Sequence, residues 1–163
     1  MNAMRWMMTL AVLLGFSSAT AQDIPLGSVV PPYPEGTSGQ MGLCVARGKA
    51  DDCQWLIGVL KSAGTASDHV FAAKYLDERG GNPRWRIVDV KVAPPLLGGQ
   101  MWATEACMSS RAAEQGILGI VAYADRGGWV EAQRTVWAVT LDAANQKLVE
   151  LAPADVTCVL PSS

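Results

Sequence analysis

The chain of 163 residues has a single histidine, His69, and lacks the patterns that mark most catalytic and cofactor sites. It contains no glycine-rich nucleotide-binding loop, no Gly-x-Ser-x-Gly elbow and no His-Glu-x-x-His pair. Its four cysteines include no Cys-x-x-Cys spacing, and one imidazole is too few for the usual zinc ligand sets. We therefore expect no cofactor and no metal, and an enzyme is the less favoured interpretation.

Strong charge and long apolar runs are also missing. The formal net charge is -2, which offers no cluster of cations for nucleic acid. No uninterrupted apolar stretch reaches the roughly 18 residues of an ordinary membrane span. Half of the residues are hydrophobic and 17% are charged, a balance typical of a folded globular protein.

The N-terminal segment, residues 1–21, has the pattern of a secretory leader. Arg5 supplies the positive start, residues 7–16 form a short apolar run, and Ala19 and Ala21 match a small-x-small cleavage site before Gln22. We expect cleavage there, no stable membrane anchor afterwards, and a periplasmic or secreted protein.

All four cysteines follow this leader, so disulfides are the expected use of their sulfur atoms. Sequence leaves three connectivities open for four cysteines. We favour Cys44 with Cys53, because the loop between them is short, and therefore Cys107 with Cys158.

The chain after the leader divides by composition into two parts. Residues 22–42 are rich in proline and glycine and predict an extended lead-in that contributes little to the core. Residues 43–163 predict a single α+β domain. Residues 51–63 show apolar side chains at helical spacing and predict its one N-terminal helix.

The remaining segments predict an antiparallel, meander-like sheet of about five or six strands on which this helix packs. We expect a hairpin of residues 70–77 and 84–92, although 70–77 also fits a short helix. The other predicted strands are residues 101–108, 117–124, 133–141, 148–151 and 156–159. Residues 117–124 and the centre of 133–141 are apolar on both faces and need cover on both, from a second layer, the lead-in or a partner chain.

The best candidate site is Trp129 with Arg126, beside a glycine-containing loop, because tryptophan and arginine are common in protein-binding hot spots. We therefore favour a non-catalytic binding module, such as an inhibitor, an immunity-type protein or an envelope accessory protein, whose partner is another exported protein. One alternative is a small periplasmic hydrolase that uses carboxylates or His69, a residue we otherwise expect to be exposed or near a helix cap. Another is a structural envelope protein that forms a homodimer.

Overall fold

The computed structural model describes residues 24–47, 53–104, 107–110 and 116–160. The predicted leader and its cleavage site lie outside these residues. The described part contains strands and one 3₁₀ turn, Pro153–Asp155, and no α-helix. The strands are β1 (Val29–Val30), β2 (Thr37–Arg47), β3 (Cys53–Ser62), β4 (His69–Arg79), β5 (Asn82–Val92), β6 (Gln100–Ala103), β7 (Cys107–Ser109), β8 (Ile117–Asp125), β9 (Val130–Asp142), β10 (Lys147–Leu151) and β11 (Val156–Cys158).

The strands form two large sheets and one small one, and every strand pair is antiparallel. The five-stranded sheet has the order β1-β5-β4-β3-β2, and the four-stranded sheet has the order β10-β9-β8-β6. The third sheet consists of β11 and β7.

The main core lies where the inner faces of the two large sheets meet. Strands β3 and β4 contribute from one sheet, and β8 and β9 contribute from the other. Each fully buried branched or aromatic side chain is worth about 1.5–3 kcal/mol relative to an exposed one. The central contributors are Trp55, Ile57, Val59, Val70, Ala72, Leu118, Ile120, Trp137, Val139 and Leu141.

The outer face of the four-stranded sheet is covered as well. Ile117, Val121 and Ala138 turn away from the main core and pack against Val156 and Cys158 of β11. The two-sided apolar strands β8 and β9 are thus covered on both faces by the same chain, by the five-stranded sheet on one face and by β11 on the other.

The outer face of the five-stranded sheet is covered by the segment that precedes β2. Ile24 and Val30 are buried there with Phe71 and Ile87, and β1 pairs with β5. The expectation that the lead-in contributes little to the core is therefore wrong. The physical reason is that β4 is apolar on both faces, so its outer face also has to be shielded from water.

The predicted α+β fold is wrong, because residues 53–62 of the predicted helix form the buried strand β3. The run is almost continuously apolar, so it satisfies the helical spacing and the two-residue spacing of a strand equally well. Ile57 and Val59 face the main core, whereas Leu60 faces the outer cluster, and Gly58 lies between them. The β-branched residues Ile57 and Val59 favour a strand over a helix once both faces are buried. Gly58 allows the close approach of the Phe71 ring.

The local hairpin signals were more reliable. β4 and β5 form the predicted hairpin with Gly80 and Gly81 at its turn, so the helical alternative for residues 70–77 is wrong. The predicted strands at 117–124, 133–141, 148–151 and 156–159 are present. The predicted strand at 101–108 is divided into β6 and β7, which belong to different sheets.

Both expected disulfides are present. Cys44 is bonded to Cys53 with a Cα–Cα distance of 5.6 Å, and Cys107 is bonded to Cys158 with a distance of 3.9 Å. The first closes the end of the β2–β3 hairpin, and the second joins directly opposite residues of β7 and β11.

The two disulfides should differ in their contribution to stability. Replacing both Cys107 and Cys158 by alanine reopens a loop with a sequence separation of 51, against 9 for Cys44 and Cys53. Loop-closure entropy predicts losses of about 4 and about 3 kcal/mol, respectively. Urea unfolding of the two double variants measures this difference, and an equal or reversed loss would contradict it.

Gly58 should tolerate no side chain. A Cβ atom added there would lie 2.5 Å from two ring carbons of the buried Phe71. We expect Gly58→Ala to lower the free energy of unfolding by about 1–3 kcal/mol through overpacking. Gly98→Ala is the control, since a Cβ atom at Gly98 meets nothing within 4 Å. Partial recovery of stability in the Gly58→Ala, Phe71→Leu double variant would identify the ring contact as the cause.

Candidate functional site

Trp129 lies at the end of the hairpin loop that connects β8 to β9. The backbone N–H of Arg126 donates a hydrogen bond to the carbonyl of Trp129 at 2.9 Å, which closes the loop. Asp125 accepts a hydrogen bond from the N–H of Gly127 at 2.8 Å. Gly127 and Gly128 have φ values of 77° and 116°, so the loop needs glycine at both positions. The loop thereby presents Trp129 with 47% of its surface exposed.

An apolar groove of about 340 Å³ begins at Trp129, between the start of β9 and the C-terminal strand segment. Its wall on the β11 side includes Val159, which is 56% exposed. Met108 of β7 stands directly opposite Thr157 and is 65% exposed, so the apolar surface extends beyond the groove. The lining residues are Trp129, Val130, Glu131, Ala132, Thr157, Cys158, Val159 and Leu160.

Arg126 lies near this groove without lining it. Its Nε is 3.1 Å from Oε2 of Glu131, a groove residue, and both side chains are about half exposed. The ion pair balances the charge of Glu131. It contributes little to the free energy of unfolding, because exposed ion pairs are worth about 0–1 kcal/mol. The structure thus places the two predicted site residues on one loop and brings only Trp129 into the groove.

The groove continues along β9 as a smaller depression of about 110 Å³ that includes Gln133 and Arg134. Thr135 closes its far end and donates a hydrogen bond from Oγ1 to the carbonyl of Val156 at 2.7 Å. This buried bond holds β11 against β9, and the Cys107–Cys158 disulfide ties β11 to β7.

The C-terminal half of the groove was absent from the sequence prediction. Thr157 and Val159 lie within the predicted strand 156–159 and Leu160 follows it, but nothing in their pattern identifies the strand against which they pack. The alternation around Cys158 does signal one inward and one outward face. This alternation predicts that Val159 is exposed, but it does not predict which residues lie next to Val159.

His69 is buried in β4, so the expectation that it is exposed or near a helix cap is wrong. A hydrogen bond of 3.1 Å joins its Nδ1 to Oγ of Ser62, which is also buried. The neighbouring carboxylate of Asp68 instead accepts a hydrogen bond from Nε1 of Trp102 at 3.0 Å. Asp68 therefore does not orient the imidazole ring of His69 toward Ser62.

Two of the described carboxylates, Asp77 and Asp142, are engaged by neighbouring side chains. Asp77 receives two hydrogen bonds from Arg84, which hold the pKa of the Asp77 carboxyl below its usual value. The side chain and backbone of Asn145 likewise lower the pKa of Asp142. Within the described ranges, no three His, Cys, Asp or Glu residues are grouped so that they could hold a metal ion.

Comparison of the chain with protein-family models, curated proteins and solved structures finds no match. Among the residues that the structure places, no helix is both long and apolar enough to cross a membrane.

The pair of Asp77 and Arg84 should make stability depend on pH. The pKa of the Asp77 carboxyl is lower in the folded state than in the unfolded state. Its ionised form therefore stabilises the fold at pH values above the unfolded pKa, and this stabilisation is lost as the pH falls through the folded pKa. We expect Arg84→Gln to lower the urea midpoint at pH 7, and the gap between the midpoints of the variant and the wild type to shrink as the pH falls below about 4. Arg86→Gln is the control on the same strand. A gap that stays constant down to pH 2 would contradict the assignment.

Proposed function

We propose that this protein is a non-catalytic binding module of the periplasm or the extracellular space, and that it binds another exported protein through the groove at Trp129. The observation that carries the proposal is the half-exposed Trp129 at the mouth of an apolar groove. A large aromatic ring held at a surface in this way contributes most of its binding energy only when a partner covers it.

The surroundings of Trp129 support protein binding over catalysis. The groove is lined mainly by apolar atoms, and its charged rim consists of the Arg126–Glu131 pair. Glu131 is the single carboxylate among the lining residues of the larger groove, so a two-carboxylate hydrolysis has no second partner there. An apolar centre with a polar rim is the usual organisation of a protein interface.

The sulfur chemistry and the leader pattern support the proposed compartment. Two disulfides join all four cysteines, and such bonds persist in oxidising compartments. The leader pattern of residues 1–21 supports export. A partner should therefore be sought among exported proteins.

Replacing Trp129 should weaken binding without unfolding the domain. Immobilised wild-type protein would capture a partner from the exported fraction of the source cells, and its Kd would be measured after purification. We expect Trp129→Ala to raise this Kd at least tenfold, because hot-spot truncation costs about 2 kcal/mol or more. Circular dichroism of the variant should be unchanged.

Leu97→Ala is the matched control, since Leu97 is a 64% exposed apolar residue on the β5–β6 connection. Its Kd should equal that of the wild type. Equal affinity of the Trp129→Ala variant would remove this groove as the binding site. Turnover of a substrate that depends on His69 or on a carboxylate would favour the hydrolase instead.

A further inference from the structure

Strand β9 pairs with β8 along one edge, but its other edge is paired over only part of its length. β8 pairs with it from Val130 to Thr140, whereas β10 on the other side pairs only with residues 138–142. Among the strands that the structure describes, none pairs with the β10 side of residues 130–137. Such an edge offers backbone donors and acceptors to an added strand.

The hydrogen-bond pattern identifies which peptide groups face this free edge. Opposite residues in an antiparallel pair alternate between bonded and non-bonded positions. The bond between Arg126 and Trp129 makes the next pair, Asp125 with Val130, a non-bonded one. Two residues on, Tyr123 donates its N–H to the carbonyl of Gly99 on the β6 side. Its partner Ala132 therefore also directs its N–H and C=O away from β8.

The groove lies on that same side. Its two sections are lined by β9 and by the segment of residues 156–160, and no residue of β8 lines them. Together they follow β9 from Trp129 to Thr135, which at strand spacing is roughly 20 Å. This length suits an extended segment of about six or seven residues.

Charge at the far end indicates the chemistry of that segment. Arg134 lies there and forms no ion pair with any described residue, whereas Glu131 at the near end is already neutralised by Arg126. A segment that runs antiparallel to β9 would place its N-terminal end beside Arg134. An acidic residue at that end would supply the missing partner.

We propose that an extended segment of the partner protein adds to the free edge of β9 as an antiparallel strand. Its backbone pairs with Val130 and Ala132, its apolar side chains contact Trp129 and Val159, and an acidic residue at its N-terminal end meets Arg134. This inference rests on the proposed function and adds the binding mode, which is main-chain hydrogen bonding with alternate side chains seated in the groove.

Synthetic peptides test this mode directly. The probe is a pool of acetylated and amidated heptapeptides that begin with aspartate and then alternate threonine with valine, leucine or phenylalanine. We expect the pool to contain members that bind, and the amides of Val130 and Ala132 to become protected from hydrogen exchange. A pool that begins with lysine should bind at least threefold more weakly, and Arg134→Gln should abolish that preference.

N-methylated versions of the best binder separate backbone pairing from side-chain contact. Only alternate amides of an added strand face β9, so methylation of one alternate set should weaken binding at least tenfold and methylation of the other set less than threefold. Ala132→Pro removes an edge-facing N–H that β8 does not use, so it should fold and bind at least tenfold more weakly.

The outcomes distinguish this mode from the binding function itself. Equal effects of the two methylated sets, or unprotected amides at Val130 and Ala132, would overturn strand addition while leaving a groove that binds side chains. If no peptide of the pool binds but the natural partner still requires Trp129, strand addition would likewise be overturned and binding of side chains in the groove would remain. A dimer in light scattering that Ala132→Pro disrupts would overturn the proposal by assigning the edge to a second copy of this chain.

Discussion

Burial of β8 and β9 on both faces is the constraint on which the architecture depends. Their apolar side chains alternate between the core shared with β3 and β4 and the core shared with β11. A sandwich of two sheets shields only one of these faces, so a third layer is required. The strand pair of β7 and β11 supplies it, and the Cys107–Cys158 disulfide fastens that pair together.

The same arrangement leaves the groove. β9 is long, whereas the strands around its outer face and second edge are short: β10 pairs with its C-terminal part, and β11 packs over its N-terminal part without pairing. Apolar surface and unused peptide groups therefore remain side by side near Trp129. A protein surface that combines the two is suited to take up an extended polypeptide, and a small rigid site for catalysis would need convergent polar groups instead.

Local signals in the sequence predicted the β4–β5 hairpin and favoured the observed disulfide pairing, whereas the β2–β3 hairpin was not predicted. Glycines at Gly80 and Gly81 mark a reversal whatever surrounds them, because their φ values suit few other residues. The short spacing from Cys44 to Cys53 favoured one pairing and left the other by elimination. Trp129 was identifiable as a surface residue since it borders such a loop. The groove was not, because its second wall comes from a segment that is distant along the chain.

Turn chemistry alone predicted the reversal at Gly80 and Gly81, and periodicity predicted that residues 117–124 and the centre of 133–141 are buried on two sides. The spacing of the cysteines favoured the observed pairing without excluding the other two connectivities. Tertiary packing decided that residues 53–62 are a strand. An almost uniformly apolar run has no periodicity that distinguishes a helix from a strand buried on both faces. It also decided that the lead-in covers a sheet and that Val159 stands across from Trp129. Contacts between remote segments depend on which layers stack, and the pattern of a single segment holds no information about its distant neighbours.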